Sequence, residues 1–218
     1  MRRVMLVMGL MACPLLGSCN ILGPAIYMVE GPPKDAAVFK LDKDRPTLIL
    51  VDDRLNALPR PRLRETIATG AQEVLLKQRV LTRVIDCRGA YAAMAGDREG
   101  NVLSVTEIGR AVKADVVVCV SVDSFGAPAT GASAGQELIL ESAMRVRVLD
   151  VTRDEPRLWP GEPEGYAFAA RHRPAAGKSI ETLTQAQAVQ IALAEQCGKA
   201  VAELFYKHER ATSAAKGK

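Results

Sequence analysis

Along residues 47–208, runs of apolar and β-branched residues alternate with stretches in which apolar positions recur every three or four residues. The first pattern predicts strands and the second predicts amphipathic helices. The predicted strands cover 47–51, 80–87, 115–125 and 138–151, and an interrupted fifth strand covers 158–159 and 166–172. The predicted helices cover 62–78, 104–113 and 180–208, with a helical turn at 91–95.

The order of these elements, β-α-β-α-β-β-β-α, predicts an α/β fold with a mixed five-stranded sheet and helices packed on it. The first three strands are separated by helices, so they should run parallel through right-handed crossovers. The later strands follow one another directly and can add as hairpins. In the fourth strand Met144, Val146 and Val148 alternate with Arg145 and Arg147, which predicts one buried and one solvated face.

The amino-terminal segment has the three parts of a bacterial export signal. Two arginines follow Met1, an uncharged run covers residues 4–16, and Leu16-Gly17-Ser18-Cys19 ends the segment. The uncharged run is shorter than the roughly 20 residues that a membrane-spanning helix needs. The four-residue ending resembles the lipobox of bacterial lipoproteins. This resemblance implies that Cys19 receives a diacylglyceryl lipid, with acyl chains such as palmitate, and becomes the first residue of the mature chain.

A rival motif, Leu10-Met11-Ala12-Cys13, follows a shorter apolar run and has a bulky methionine where the lipobox has a small residue. Lipidation is therefore assigned to Cys19, with cleavage after Ser18. Asn20 comes next, and it is not the aspartate that retains lipoproteins in the inner membrane. The resemblance therefore favours the periplasmic face of the outer membrane.

These patterns divide the chain into four predicted parts. Residues 1–18 form a lipoprotein signal peptide, and residues 19–46 form the lipidated cysteine and a flexible tether rich in Gly and Pro. Residues 47–208 form a single α/β domain, and residues 209–218 form a disordered basic tail.

Composition narrows the function classes. Aromatic residues make up only 4% of the chain, which disfavours a base-stacking nucleic-acid surface, and signal removal halves the net charge of +4. No nucleic-acid partner is expected. Three cysteines remain in the domain, Cys87, Cys119 and Cys197, without the spacing of a zinc site. We expect them to be small buried apolar side chains, and a disulfide between two of them stays open.

Two stretches of the domain resemble a group of envelope proteins. Residues 108–118 read as a helix running into a core strand, and residues 145–152 read as a strand ending in Asp, followed by Leu158-Trp159. These stretches resemble the periplasmic domains of the curli-export lipoproteins (CsgG-like), the lipoprotein activators of penicillin-binding proteins (LpoB-like) and the amino-terminal domain of TolB. The resemblance implies a protein that binds other envelope proteins, sometimes as an oligomer, and it implies no chemistry.

Two groups of residues are weak candidates for a ligand or partner surface. Asp52 and Asp53 end the first strand, where α/β sheets often place ligands, and a carboxylate pair could hold a divalent cation. The simpler interpretation is a solvated strand end paired with Arg54. Arg171, His172 and Arg173 form a basic cluster that could meet an anionic partner.

Other motifs predict no chemistry. Gly177-Lys178-Ser179 lacks the earlier glycine and the leading strand of a phosphate loop, so Ser179 is expected to cap the last helix instead. No G-x-S-x-G motif is present. No catalytic residue, metal or cofactor is therefore predicted, and the chain is expected not to be an enzyme.

The expected function is that of a non-enzymatic accessory module on the envelope, held on the membrane through Cys19. Its expected partner is another envelope protein or a cell-wall component. Two alternatives stay open. One is an oligomeric subunit of an envelope export assembly, and the other is a metal-dependent hydrolase that uses Asp52 and Asp53.

Overall fold

The structure, a computed structural model, describes residues 33–95, 102–128, 139–174 and 182–209 of the 218-residue chain. The strands are β1 Lys34–Asp35, β2 Thr47–Asp52, β3 Val84–Ile85, β4 Val116–Pro128, β5 Leu140–Asp150, β6 Arg157–Trp159, β7 Tyr166–His172 and β8 His208–Glu209. The helices are α1 Arg62–Lys77, α2 Cys87–Met94, α3 Val105–Ala111 and α4 Leu183–Glu203. No helix in this described part of the chain is long and apolar enough to cross a lipid bilayer.

Ala36–His208 form one compact unit, and the described residues 33–35 and Glu209 belong to a second unit. A two-stranded sheet pairs β1 with β8. The larger unit begins at Ala36, within the stretch 19–46 that was predicted to be a tether. The stretch before β2 belongs to this unit because Leu41 is buried in its core and Arg45 is ion-paired to the end of β5.

The main sheet is mixed, as the order of elements predicted. Its strand order is β3-β2-β4-β5, and both β6 and β7 then pair with β5. β2 runs parallel to β3 and β4, whereas β5 runs antiparallel to β4, β6 and β7. The α/β fold class is thus confirmed, with the predicted fifth strand divided into two that lie along the same neighbour.

Three predicted elements differ from the structure in extent. The strand predicted at 80–87 is only Val84–Ile85, because Asp86 accepts a hydrogen bond from the backbone N–H of Arg88 and begins α2 at Cys87. The helical turn predicted at 91–95 is therefore the end of an eight-residue helix. The last helix begins at Leu183 with a capping box from Thr182, so Ser179, which lies outside the described residues, is not its cap.

Helices α1 and α4 pack together over one face of the sheet, which we call the helix face. On β5 it presents Ser142, Met144, Val146 and Val148, all buried. The two helices approach closely because Gly198 has no side chain. A Cβ there would lie 2.6 Å from the carbonyl oxygen of Ile67 in α1. This contact buries the apolar stripe of α4, including Leu193, Cys197 and Val201.

Helix α3 lies against the other face of the sheet, whereas α2 packs beside the edge of β2 and against α1. The backbone N–H of Val51 in β2 donates to the Tyr91 hydroxyl of α2, and Arg64 of α1 lies over the Tyr91 ring. The predicted capping box of α3 is present, with Ser104 and Glu107 satisfying each other's backbone N–H groups. A Cβ at Gly109 of α3 would lie 2.6 Å from a methyl of Val117, so this helix rests directly on β4. Among the described residues, these short helices cover only part of this second face.

A bidentate ion pair ties the start of β2 to the end of β5. Two guanidinium nitrogens of Arg45 each lie 2.8 Å from an oxygen of Asp150. The hydroxyl of Thr152 donates to the same carboxylate at 2.5 Å, and Arg153 lies 2.9 Å from it. The carboxylate is 1% exposed. These donors, Arg45 foremost, hold the pKa of Asp150 well below its usual range.

We expect Asp150→Asn to lower the free energy of unfolding by about 2–3 kcal/mol at pH 7, because it leaves Arg45 without its counter-charge. This is less than for a fully buried pair, since the Arg45 side chain is 25% exposed. A depressed carboxyl pKa stabilises the fold only while the carboxylate is ionised. The difference between wild type and variant should therefore shrink as the pH falls below about 4, the ordinary pKa of aspartate. Urea unfolding followed by circular dichroism over a pH series measures both effects.

The matched control is Asp154→Asn, which makes the same change at an exposed position in the turn after β5. It should alter the unfolding free energy little at any pH. Equal destabilisation by the two variants, or a difference that does not depend on pH, would contradict the importance of the Arg45–Asp150 pair.

Candidate interaction surface

The residues predicted to anchor the chain, Leu16, Gly17, Ser18 and Cys19, lie outside the described residues, as does the first part of the predicted tether. The described unit contains the other two groups of candidates, the strand-end carboxylates and the basic cluster after β7.

Asp52 and Asp53 do not converge on a common site. Asp52 lies 3.3 Å from the Nε atom of Arg54, as the simpler interpretation expected. Asp53 is 8% exposed and accepts backbone N–H groups of Ala57 at 2.7 Å and of Leu58 at 3.2 Å. Because strand residues alternate in direction, the second carboxylate closes the turn after β2 and is not a solvated strand end.

A divalent cation needs several oxygen ligands directed at one point. Both carboxylate oxygens of Asp53 accept hydrogen bonds from backbone N–H groups of the turn. Among the described residues, no group of three or more metal-ligating side chains occurs. The hypothesis of a cation between Asp52 and Asp53 is therefore not supported by their geometry.

The basic cluster Arg171-His172-Arg173 is divided by the same alternation. Arg171 makes an ion pair with Glu141 of β5 at 2.6 Å, and these residues are directly opposite in the ladder. His172 is opposite Leu140 and half-buried. Arg173 is exposed beyond the end of β7. Arg171 of this cluster therefore lies on the sheet surface, where it is already paired with the carboxylate of Glu141.

The arginines of β5 and β7 belong to a larger surface, which we call the open sheet face. It is the part of the second sheet face that α2 and α3 leave uncovered, as far as the described residues show. Strand register places the following residues on it: Asp52, Ser121, Asp123, Glu141, Ala143, Arg145, Arg147, Ala167, Ala169 and Arg171. Ala167, Ala169 and Arg171 of β7 are exposed.

Cross-strand ion pairs order the charges on this face. Arg145 lies 2.8 Å from Asp123, which sits at a bulge in β4, and Arg171 pairs with Glu141. Arg145 and Arg171 could be identified from the sequence, but their partners could not. The signal for Asp123 and Glu141 lies in the register between strands, which no local pattern contains.

Arg147 differs from its neighbours on the open sheet face. Within the described part of the chain its guanidinium makes one polar contact, at 3.9 Å to the Sγ atom of Cys119. Cys119 is directly opposite Arg147 in the ladder and fully buried. Burial raises the pKa of this thiol to about 11, so the sulfur is uncharged at neutral pH.

The three cysteines of the domain are free and buried. Desolvation raises the pKa of each thiol, to about 11 for Cys119 and Cys197. The thiolate is the reactive form of cysteine, so these side chains behave as apolar core groups, as expected from the sequence.

An apolar groove of about 340 Å³ lies between the first half of α4 and the far ends of β4 and β5. Phe125, Leu140, Val189 and Leu193 are among its lining residues. No titratable side chain lines it, so the groove offers shape and apolar surface but no reactive group.

The histidines make no catalytic arrangement among the described residues. His208 is 3.1 Å from the carbonyl oxygen of Tyr206, and neither histidine is hydrogen-bonded to a Ser or Cys side chain. The described geometry therefore offers a charged surface rather than a nucleophile with its base.

No protein-family model and no curated protein sequence matches the chain. Among solved structures, the chain is similar to the hypothetical protein CT253 from Chlamydia trachomatis, at 14% identity, 74% of this chain, 94% of that chain and a TM-score of 0.44. It is also similar to a PelC dodecamer from Paraburkholderia phytofirmans, at 10% identity over 80% of this chain and 96% of that chain, with a TM-score of 0.40. A further similar structure is lipoprotein GNA1162 from Neisseria meningitidis, at 13% identity over 69% of this chain and 99% of that chain, with a TM-score of 0.40. Similarity of this degree assigns no function.

We expect Cys119 and Cys197 to resist iodoacetamide at pH 8 in the folded protein, because both sulfurs are buried and held as thiols by a raised pKa. Peptide mass spectrometry after a short exposure measures labelling at each position. A parallel sample in concentrated urea should be labelled at both. Equal labelling rates with and without urea would show that these thiols are accessible in the native state.

Proposed function

We propose that the chain is a lipid-anchored lipoprotein of the bacterial envelope whose α/β domain is a non-enzymatic interaction module. The observation that carries the anchor is Leu16-Gly17-Ser18-Cys19, placed directly after an uncharged run that is too short to span a bilayer. A diacylglyceryl group with a further acyl chain gives durable attachment, where one chain is marginal. Asn20 favours the periplasmic face of the outer membrane.

The open sheet face supports the interaction role of the domain. It carries polar side chains, and ion pairs fix the positions of two of its arginines, Arg145 and Arg171. Ordered charges of both signs suit recognition of a protein, because they set the register of the partner and reject a mismatched one. The expected partner is another envelope protein, or a cell-wall component.

The anchor is tested by growing cells with an alkyne analogue of palmitate and detecting the label on the purified protein. We expect wild type to be labelled and Cys19→Ser to be unlabelled, because the thioether requires the sulfur of residue 19. The variant should also remain uncleaved, which shows as a higher mass.

The matched control is Cys13→Ser, which removes the sulfur of the rival motif and should leave labelling unchanged. Label that depends on Cys13, or a wild-type protein without label that a salt wash releases from membranes, would refute the proposed anchor.

The interaction role is tested with a photo-crosslinking amino acid at Ala169, an exposed residue of the open sheet face. In growing cells we expect one discrete crosslinked product containing a different envelope protein. The control position is Lys77, exposed at the end of α1, where no such product should form.

Crosslinking of Ala169 to a second copy of the chain would instead favour the oligomeric export subunit. No product, or the same products at Ala169 and Lys77, would contradict a partner surface at this place.

A further inference from the structure

The end of the larger unit at which β2 and β4 begin, which we call the basal end, carries a group of exposed basic side chains. These basal cations are Lys43, Lys77, Arg79, Arg83 and Lys113. Among the described residues none of them makes an ion pair. The basal end therefore differs from the open sheet face, where carboxylates hold Arg145 and Arg171.

Backbone hydrogen bonds bring the basal cations to one edge of the sheet. The N–H of Thr82 donates to the carbonyl oxygen of Lys43 at 2.9 Å, so the turn after α1 lies against the stretch before β2. The N–H of Asp115, two residues after Lys113, donates to the carbonyl oxygen of Pro46 at 2.8 Å. The turn after α3 thus lies against the same stretch.

The acidic side chains of the basal end do not neutralise these cations. They are Asp42, Asp44, Asp115, Asp150, Asp154 and Glu155. Asp150, followed by Asp115 and Asp42, raises the pKa of the Arg45 guanidinium, so these carboxylates act on that arginine. Asp44 accepts a hydrogen bond from the Thr82 hydroxyl at 3.2 Å. The last two acidic residues lie in the turn after β5, on the far side of β4.

Two of the basal cations occupy backbone positions that favour glycine. Arg79 follows the C-cap of α1 with φ +56°, and Lys113 follows the C-cap of α3 with φ +60°. A left-handed conformation strains any residue with a Cβ. A cation near a helix C-terminus gains from the helix dipole, but Lys77 and Arg110 already stand in the last turns. The two strained cations therefore point to a use of charge beyond folding.

The stretch that leads from the predicted lipid joins the larger unit at the basal end. The N–H of Val38 donates to the carbonyl oxygen of Leu204, just after α4, at 2.8 Å. Residues 20–35 separate Cys19 from Ala36, and a chain of that length spans at most roughly 55 Å. This connection permits the basal end to rest on the bilayer that holds the lipid.

The basal cations suit an anionic bilayer better than an acidic protein. Attraction to anionic lipid takes several uncompensated lysines or arginines close to the membrane surface. Side chains that no ion pair holds can follow mobile headgroups, whereas a protein surface is matched by charges in fixed positions. Leu76 is 44% exposed beside Lys77 and provides an apolar side chain for the headgroup region.

We propose that the basal end binds the surface of an anionic phospholipid leaflet through the basal cations. This inference uses the proposed anchor and adds the orientation of the domain on the membrane. Because the lipid already holds the domain at the bilayer, docking is intramolecular, and a weak attraction is enough to populate it.

The test uses the mature full-length lipoprotein in vesicles of phosphatidylcholine, or of equal parts phosphatidylcholine and phosphatidylglycerol. Gln78→Cys, exposed between Lys77 and Arg79, carries an NBD fluorophore, since the native cysteines of the domain are buried. A spin-labelled headgroup lipid quenches nearby NBD. We expect quenching only with phosphatidylglycerol, and its loss in 1 M salt, where the Debye length is about 3 Å. A label at Leu55→Cys, 78% exposed in the turn after β2, should stay unquenched.

The decisive variant combines Arg79→Gly with Lys113→Gly. It removes two cations and relieves two strained positions, so urea unfolding should show equal or higher stability. We expect the ratio of docked to undocked protein to fall at least about tenfold, because each surface cation contributes about fivefold. Lys43→Gln with Arg83→Gln should give a similar loss without any change of backbone preference.

The matched control is Arg62→Gln with Arg88→Gln, which removes two exposed cations at the starts of α1 and α2. It should leave the docking ratio within about twofold. Equal quenching in neutral vesicles, equal quenching at residue 55, or equal losses in the control and in both basal variants overturns the proposal.

Two outcomes assign a failure to its source. Wild type that floats with both kinds of vesicle but is never quenched retains the anchor and overturns only the docking. A probe at residue 78 that ignores phosphatidylglycerol but responds to polyglutamate shows that the basal end binds an acidic protein, which also overturns the proposal. Palmitate labelling at Cys19 and crosslinking at Ala169 are independent of both outcomes.

Discussion

The bidentate pair between Arg45 and Asp150 is the interaction on which the arrangement of the sheet depends. It joins the stretch before the first core strand to the end of β5, and Arg45 also reaches the carbonyl oxygen of Asp115 before β4. Three strand ends thus meet at one buried carboxylate. An ion pair of this kind adds little net stability over an apolar contact, but it tolerates only one geometry, so it sets which strand ends lie together.

The second face of the sheet has two parts, one near this ion pair and one farther along the strands. Near the ion pair, Gly109 lets α3 rest on Val117 and close the core. Farther along the same strands no helix of the described residues covers the face, and the residues there are mostly polar and charged. The burial pattern of β5 shows this change, since its helix-face residues are buried from Ser142 to Val148 while Arg145 and Arg147 are only half-buried. The packing of α3 therefore determines both which part of the second face joins the core and which part stays at the surface.

Features encoded by neighbours in the chain could be predicted from the sequence, and features encoded by register could not. The capping box of Ser104 and Glu107 and the apolar run of β2 are local, and both are present. The strand predicted over 80–87 was too long because Asp86, a polar residue in an apolar run, caps a helix there. On the open sheet face, Arg145 was visible as an alternating position, but its partner Asp123 lies 22 residues away and meets it only through the ladder.

A polar face of this kind gains little affinity from apolar burial, because its charges must lose water before they pair with a partner. In the proposed arrangement the lipid on Cys19 offsets that weakness. Anchoring the domain and an envelope partner to the same membrane makes their encounter effectively intramolecular, which raises the local concentration without any new contact. A surface that carries fixed ion pairs can then select its partner by charge register while each contact stays weak and reversible. The anchor would supply the occupancy of the complex, and the sheet face would supply its specificity.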